Sequence, residues 1–254
     1  MPDYTHKELY RGYTICIYQD TDPLNPVEDY DQFGTMACFH RNYVLGHKHD
    51  HRNPDELWAY LYEDMPCIKP NWYDDGGWDA ATEAQIEMIK AKVNKGYVIL
   101  PLYLYDHSGI TMSTTPFSCR WDSGQVGIVY AKKDKVIKEF SNNPKGMLGS
   151  KIRQRAERLM KAEVETYDHY LTGQCYGYDI YKGDLTDDNI DRDDEIDFDS
   201  YEAEESCGGY LGDYDTSGIQ TEAKSVVDHL VGFATAKQAY SINPEDAQAI
   251  LAST

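Results

Sequence analysis

Short apolar stretches rich in β-branched and aromatic residues, separated by polar segments, predict β-strands. The first two are GYTICIYQD at residues 12–20 and FGTMACFH at residues 33–40. The stretch YVILPLYLY at residues 97–105 is apolar at successive positions, which is typical of a strand buried on both faces. Pro101 has no backbone N–H to donate, so we expect a bulge or a sheet edge there. QVGIVYA at residues 125–131 predicts the next strand.

Apolar residues spaced three and four positions apart predict the helices. In TEAQIEMIKAKVNKG, residues 82–96, Thr82 and Gln85 have the spacing of a capping box. Gly96 at the end of this stretch predicts a left-handed residue that stops the helix. The longest predicted helix covers residues 151–171, and the C-terminal tail is also predicted to be helical.

Strands and helices follow one another irregularly, without sustained βαβ alternation. This order predicts an α+β fold with a single, mainly antiparallel sheet and packed helices. The predicted strands at residues 175–182 and 206–212 flank an acidic segment, and we interpret them as a β-hairpin with an acidic insertion over residues 184–205. We therefore predict one α+β domain over residues 1–212 and a helical C-terminal tail over residues 213–254.

The charge of the chain is strongly negative, because 44 Asp or Glu residues oppose 24 Lys or Arg residues and leave a net charge of −20. Residues 184–205 hold 12 of these acids and one Arg, a net −11. An acidic chain repels nucleic-acid backbones and anionic membrane surfaces. The charge therefore disfavours direct binding to nucleic acid or to a membrane, and it leaves a basic protein as the expected partner.

The acidic hairpin allows two interpretations. In the first, its carboxylates imitate DNA phosphates and attract a nucleic-acid-binding protein. In the second, it is a solvated charged loop without a partner. The first interpretation predicts these partner-binding residues: Asp187, Asp188, Asp191, Asp193, Asp194, Glu195, Asp197 and Asp199.

The cysteine pattern and the hydropathy bear on the cellular compartment. None of the six cysteines belongs to a C-x-x-C pair, so the close pairing of a zinc ribbon or of a redox motif is missing. The first residues contain no apolar run of signal-peptide length, and no stretch reaches the roughly 20 apolar residues that span a bilayer. We accordingly expect a cytoplasmic protein with reduced thiols.

Residues 104–127, LYDHSGITMSTTPFSCRWDSGQVG, combine acids, a histidine, hydroxyls and a thiol at the end of a predicted strand. In one interpretation, Asp106 or Asp122 orients His107 as a general base. The base would then act on a hydroxyl such as that of Ser123, or on water, as in a hydrolase. In the other interpretation these residues only form turns, because Asp and Ser before Gly bond to the turn backbone. Sequence spacing does not choose between the two, since adjacent side chains point in different directions.

Four histidines fall within the 12 residues HRNYVLGHKHDH at positions 40–51. In an extended segment, His47, His49 and His51 share one face. Neutral imidazole is a natural ligand for zinc and similar divalent metals. A site for zinc or another divalent metal at these three residues is one interpretation, and a solvated loop is the other.

Four stretches resemble a family of uncharacterised proteins that bacteriophages and related mobile elements encode. They are FGTMACFH, EVETYDHYLTGQCYGY, ESCGGYLG and the long motif PLYLYDHSGITMSTTPFSCRWDSGQVG at residues 101–127. The family has no settled activity, so the resemblance implies no catalytic residues. It implies a context, in which a small acidic phage protein acts on host machinery in the cytoplasm of the bacterial cell, in an anti-defence or host-takeover role.

The leading hypothesis combines the charge with this context. An acidic phage-type protein binds a basic, nucleic-acid-handling host protein and modulates or inhibits it. The first alternative is a hydrolase-type enzyme around Asp106, His107 and Asp122, with or without a metal ion. The second is a virion or scaffold component, for which a symmetric oligomer would be the first sign. The sequence leaves the oligomeric state open.

Overall fold

The computed structural model describes residues 3–74, 76–141, 148–186 and 198–240, with the backbone alone at residues 199 and 234–240. The chain forms two compact units. The central unit comprises residues 24–172, and the terminal unit comprises residues 1–23 together with residues 173–254.

The helices and strands of the described residues follow in chain order, with a short 3₁₀ turn at Phe198–Ser200. They are β1 (Tyr4–Tyr10), β2 (Tyr13–Gln19), α1 (Pro26–Asp29), β3 (Thr35–Cys38), α2 (Pro54–Glu63), α3 (Asn71–Asp74), α4 (Glu83–Gly96), β4 (Tyr97–Asp106), β5 (Ile110–Ser113), β6 (Ser123–Lys132), α5 (Lys133–Phe140), α6 (Ser150–Leu171), β7 (Cys175–Lys182), β8 (Glu205–Leu211) and α7 (Ile219–Tyr240).

The central unit is a sheet covered by helices on both faces. Its strands are antiparallel and lie in the order β3-β6-β4-β5. Successive residues of a strand point to opposite faces. Met36 and Val129 therefore pack in one cluster with residues of α5 and α6, whereas Ala37 and Ile128 pack in another with residues of α2 and α4. This double cover explains the continuous apolar run of β4.

Pro101 occupies the kind of position that the sequence predicts. Strand β5 pairs with β4 only from Tyr103 to Asp106, so among the described residues no strand pairs with that side of β4 at Pro101. The pairing of β4 with β6 also shifts register between Leu102 and Tyr103. A missing backbone donor is tolerated at such an irregular, partly open point of a sheet.

Helix α4 begins as predicted and ends differently. Thr82 and Gln85 form the predicted capping box. Gly96 is not among the residues with positive φ, and the chain passes directly into the extended conformation at Tyr97. A Cβ at Gly96 would lie 2.8 Å from Cε of Met65. Gly96 therefore does not form the predicted left-handed stop, and its nearest neighbour is the flexible side chain of Met65.

The terminal unit is a second antiparallel sheet, in the order β1-β2-β7-β8. Helix α7 covers one face, where Ile219 and Val227 pack with Ile15 and Ile180. The other face carries a smaller buried cluster of Cys16, Tyr181, Leu185 and Phe198. Because both faces are covered, β2 is buried at four successive positions.

The α+β class, the antiparallel pairing and a helix in the C-terminal region are confirmed, but the strands form two sheets instead of the single sheet expected. The chain also divides at residues 23 and 173, and not at residue 212. Strand β2 pairs with β7, and α7 packs on both strands, so the first and last parts of the chain share one unit. The pairing of two strands this far apart in the chain cannot be recognised from the local sequence of either strand.

The two strands of the predicted hairpin are β7 and β8, and they pair with each other. Most of its acidic insertion, residues 187–197, lies outside the described residues. Within the described ranges, no helix combines the length and the apolar composition needed to cross a membrane.

Candidate functional site

The acids and the histidine of the central motif lie at a tight turn. Asp106 ends β4 and pairs with Ile110, the first residue of β5. Between them, Ser108 and Gly109 have positive φ values of 60° and 156°. Gly109 adopts such a conformation without steric cost, whereas Ser108 does not, so the turn is held by its flanking strands.

His107 and Asp122 come together at this turn. Nδ1 of His107 lies 3.5 Å from Oδ2 of Asp122. The carbonyl oxygen of Asp122 accepts a 2.8 Å hydrogen bond from the backbone N–H of Asp106, while the Asp106 carboxylate accepts one of 3.3 Å from the hydroxyl of Tyr43. The His107 and Asp122 side chains are 63% and 39% exposed, so water screens their interaction.

The hydroxyl of Ser123 is used within the turn itself. It donates to the carbonyl oxygen of Cys119, and the thiol of Cys119 lies 3.5 Å from Oδ2 of Asp122. Nucleophilic catalysis needs the nucleophile in contact with the base. Here the thiol and the imidazole both contact the carboxylate instead. The arrangement is suited to activating a water molecule and not to a serine or thiol nucleophile.

His47 fastens the chain to the outer edge of β3. Gly46 forms an isolated bridge with Ala37. The backbone N–H of His47 donates to the carbonyl oxygen of Met36 at 2.8 Å, and the backbone N–H of Met36 donates to Nδ1 of His47 at 3.0 Å. Burial lowers the pKa of His47, and the nearby Lys135 acts in the same direction. The ring is therefore a neutral acceptor that completes the pairing of an edge strand.

His49 and His51 make ring contacts. Nε2 of His49 lies 3.0 Å from the carbonyl oxygen of Cys38, and its ring centroid lies 4.8 Å from that of Phe39. The ring of His51 stacks on His49 at 5.5 Å and lies 5.0 Å from Tyr60.

The three histidines are not arranged as the metal site that the sequence allowed. In the part of the chain that the structure describes, no three His, Cys, Asp or Glu residues form a group that could hold a metal ion. The prediction for His47, His49 and His51 assumed a continuous extended segment. Among the described residues this segment pairs with β3 at one bridge only. Nδ1 of His47 accepts a hydrogen bond from the backbone N–H of Met36.

The segment that carries the four histidines, residues 40–51, is called the histidine segment. It lines a concavity of about 500 Å³ in the central unit, which we call the basic concavity. Its lining includes the cationic residues Arg41, Lys48 and Arg52, together with His40, His47, His49 and His51. Among the described residues that line it, none is Asp or Glu. The sequence allows a metal site or a solvated loop for these histidines, and neither interpretation includes an anion site. The three basic residues interspersed with them were the available indication of this site.

The negative charge is divided unevenly between the two units. The terminal unit holds 23 Asp or Glu and 6 Lys or Arg, a net −17, whereas the central unit holds 21 and 18, a net −3. Residues 184–205 contribute −11 of this charge, and the rest of the terminal unit carries −6. Most of the asymmetry therefore lies in the acidic insertion.

The predicted partner-binding residues fall almost entirely outside what the structure describes. Asp187, Asp188, Asp191, Asp193, Asp194, Glu195 and Asp197 lie outside the described residues, and Asp199 is described by its backbone alone, within the 3₁₀ turn. The acids at the base of the hairpin are described, and Glu202, Glu204 and Glu205 are all exposed.

Other carboxylates of the terminal unit line a concavity of about 580 Å³, the acidic concavity, which includes Asp3, Asp20, Asp22 and Asp179. Asp179 is fixed by hydrogen bonds from the hydroxyls of Tyr4 at 2.7 Å and Ser206 at 2.6 Å. Burial raises the pKa of Tyr18, which lines the same concavity, and the charges of Asp179 and Asp20 raise it further. Tyr18 is therefore a neutral hydroxyl beside fixed negative charges.

Comparison with known proteins identifies no relative of the chain. No protein-family model, curated protein or solved structure matches the chain. The resemblance to a phage family stays a prediction, and function has to be argued from the residues and their geometry.

Proposed function

We propose that the chain is an acidic interaction protein of phage type, which binds a basic, nucleic-acid-handling protein in the cytoplasm of a bacterial host and modulates or inhibits it. On this proposal the partner is a protein, and neither nucleic acid nor a membrane is bound directly. The anti-defence or host-takeover role follows from the sequence resemblance and is part of the proposal.

The observation that carries the proposal is the net charge of −17 on the terminal unit, against −3 on the larger central unit. A surface of one sign creates a potential that extends beyond contact distance and steers an oppositely charged partner. Nucleic-acid-binding proteins present basic surfaces of the kind that this field attracts. Such charges raise the association rate and the specificity more than the final affinity.

We expect such a partner to contact the exposed acids of the terminal unit. Glu202, Glu204 and Glu205 are exposed at the base of the acidic hairpin. Strand β8 is an edge of its sheet and is exposed over most of its length. The acidic concavity adds carboxylates that are held in place by hydroxyl donors, as at Asp179. We expect the partner's Arg and Lys side chains to contact these acids.

The test compares two variants of equal charge change. In the terminal variant Glu202, Glu204 and Glu205 become Gln, and in the central variant Glu83, Glu87 and Glu139 become Gln. Each protein is used to capture partners from a bacterial lysate at low salt. Captured proteins are identified by mass spectrometry, purified and measured for association rate at two salt concentrations, with and without competing duplex DNA.

We expect the wild-type protein and the central variant to capture a basic nucleic-acid-binding protein that duplex DNA competes away. The terminal variant should associate with it about tenfold more slowly at low salt, and added salt should remove this difference. Equal behaviour of the two variants, or capture of no basic protein, would refute the proposal.

A second candidate function has one observation in its favour, the 3.5 Å approach of His107 to Asp122 beside Asp106. A hydrolase-type enzyme would use His107 to activate water there. Hydrolysis of nitrophenyl esters or phosphoesters by the purified protein, lost on His107→Ala and retained on Ser123→Ala, would support it. Absence of turnover, or equal turnover by His107→Ala, would exclude this candidate for these substrates.

A further inference from the structure

The basic concavity is of opposite sign to the chain that contains it. It is lined by three cationic side chains and four histidines, while the whole chain carries −20. In a chain with nearly twice as many acids as bases, three cationic side chains around one concavity, with no carboxylate among its described lining residues, indicate a place for an anion.

The cationic groups are available for such a ligand. Lys48 pairs with Glu28 at 2.8 Å and Arg52 pairs with Glu56, but the Lys48 and Arg52 side chains are 81% and 86% exposed. Exposed ion pairs are weak and exchange readily. Arg41 makes no ion pair with any residue that the structure describes. Its guanidinium offers the planar set of donors that matches a phosphate.

His49 adds an unsatisfied polar atom to this lining. Its Nε2 lies 3.0 Å from the carbonyl oxygen of Cys38, and a carbonyl only accepts, so Nε2 carries a proton. Nδ1 of the same ring is buried and has no hydrogen-bond partner among the described residues. A buried nitrogen without a partner is costly. Because Nε2 carries the proton, Nδ1 of the neutral ring is an acceptor, and a hydroxyl or amino donor of a ligand would satisfy it.

A second, apolar concavity of about 280 Å³ shares a wall with the first. Phe39 lines both, and Leu57, Trp58 and Val126 line the apolar one. Aromatic and aliphatic walls favour a planar apolar group. The apolar concavity alone is smaller than a typical small-molecule site of about 300–1,000 Å³, whereas the two concavities together fall within that range. The pair of concavities therefore fits a molecule with an apolar ring at one end and an anionic group at the other.

We propose that the basic concavity and the adjoining apolar concavity form one binding site for a small phosphate ester with a planar aromatic body, of which a nucleoside monophosphate is the simplest example. The phosphate contacts Arg41, Lys48 and Arg52, and the ring lies against Phe39 and Trp58. The site lies wholly within the central unit and does not depend on the function proposed for the terminal unit.

The experiment is isothermal titration calorimetry of the full chain at pH 7 and low salt with three probes: adenosine monophosphate, inorganic phosphate and adenosine. The monophosphate should bind at one site and more tightly than either fragment, because only it fills both concavities. Equal binding of inorganic phosphate would show a phosphate site without the aromatic half and would refute the proposal as stated. No saturable binding of the monophosphate up to millimolar concentration would also overturn it.

Variants locate the site. Arg41→Ala and Lys48→Ala should each weaken monophosphate binding, Arg41→Ala by about tenfold or more, as expected for a charge-assisted hydrogen bond. Arg155→Ala, an exposed arginine on α6, is the matched control and should bind as the wild type. Equal affinities for Arg41→Ala, Lys48→Ala and the wild type, or an equal loss in Arg155→Ala, would overturn the proposal. Both test residues are exposed, so unfolding curves that match the wild type separate lost binding from lost folding.

Discussion

Replacing His47 tests the claim that an imidazole completes the edge of β3. The backbone N–H of Met36 donates to Nδ1 of His47 at 3.0 Å, and Met36 is fully buried. His47→Ala removes the acceptor and leaves this N–H without a partner. In His47→Asn the side-chain amide oxygen can take the position of Nδ1, so most of the hydrogen bond should be restored.

The magnitude follows from the burial of the donor. A buried N–H that loses its acceptor costs about 1–3 kcal/mol, so His47→Ala should lower the free energy of unfolding of the central unit by that amount. His47→Asn should recover at least about 1 kcal/mol of the loss. His40→Ala is the control, because Nδ1 of His40 accepts only from the exposed Asn42 N–H, and we expect a change within about 0.5 kcal/mol.

Tryptophan fluorescence during urea unfolding is the appropriate assay. All four tryptophans, Trp58, Trp72, Trp78 and Trp121, lie in the central unit, so the signal reports on that unit. A loss below about 0.5 kcal/mol in His47→Ala, or no recovery in His47→Asn, would refute the role assigned to the ring.

The same residue predicts a dependence of stability on pH. Burial lowers the pKa of His47 in the folded chain below the value of about 6.5 expected in the unfolded chain. The unfolded chain therefore takes up this proton more readily, and folding free energy is lost as the pH falls below about 6.5. His47→Asn has no titrating group at this position, so between pH 7 and pH 5 it should lose less stability than the wild type. Parallel losses in the two proteins would contradict this assignment.

Three further predictions concern packing and charge. Glu163 accepts hydrogen bonds from two backbone N–H groups, those of Phe33 and Gly34, and Glu163→Gln should cost about 1–3 kcal/mol in the same fluorescence assay because its NH₂ group opposes a donor. Gly127→Ala places a Cβ 2.0 Å from the Ala37 carbonyl oxygen, so it should destabilise by about 1–3 kcal/mol or more, while Gly124→Ala, with open space, should not. Added salt should increase the protection of amide hydrogens from exchange more in the terminal unit than in the central unit, because it screens the self-repulsion of a net −17.

Elements whose pattern is local could be predicted from the sequence, and the arrangement of those elements could not. The doubly covered β4, the capping box at Thr82 and the long helix α6 each follow from neighbouring residues. The division into two sheets depends on β2 pairing with β7, as in Ile15 opposite Ile180. No feature of either strand identifies its partner, because both are apolar strands of similar composition.

The candidate sites show the same limit. A hairpin turn and the return of β6 bring His107 within 3.5 Å of Asp122, one of the two acids that the sequence offers as its partner, and a catalytic role for the pair stays a prediction. The metal interpretation of the histidine run stays a prediction, and the structure shows another use of His47, which depends on β3 being an edge strand. The sequence offers Ser123 as a nucleophile, but its hydroxyl donates to the carbonyl oxygen of Cys119 within the turn. A side chain's partner is decided by tertiary contacts that spacing does not encode.

The fastening of the histidine segment also links ligand binding to stability. Gly46 is held by a bridge to Ala37 and by a hydrogen bond from its backbone N–H to the hydroxyl of Tyr167, and His47 is held to Met36. The basic concavity is lined by residues on either side of these anchors, so a ligand that binds there stabilises the folded central unit. At a ligand concentration 100 times the Kd, the free energy of unfolding increases by about 2.7 kcal/mol.

Adenosine monophosphate should therefore shift the tryptophan unfolding curve of the wild type. His47→Ala loosens the anchor, so it should weaken monophosphate binding although no cationic residue is changed. A full shift in His47→Ala would show that the concavity forms independently of the edge of β3.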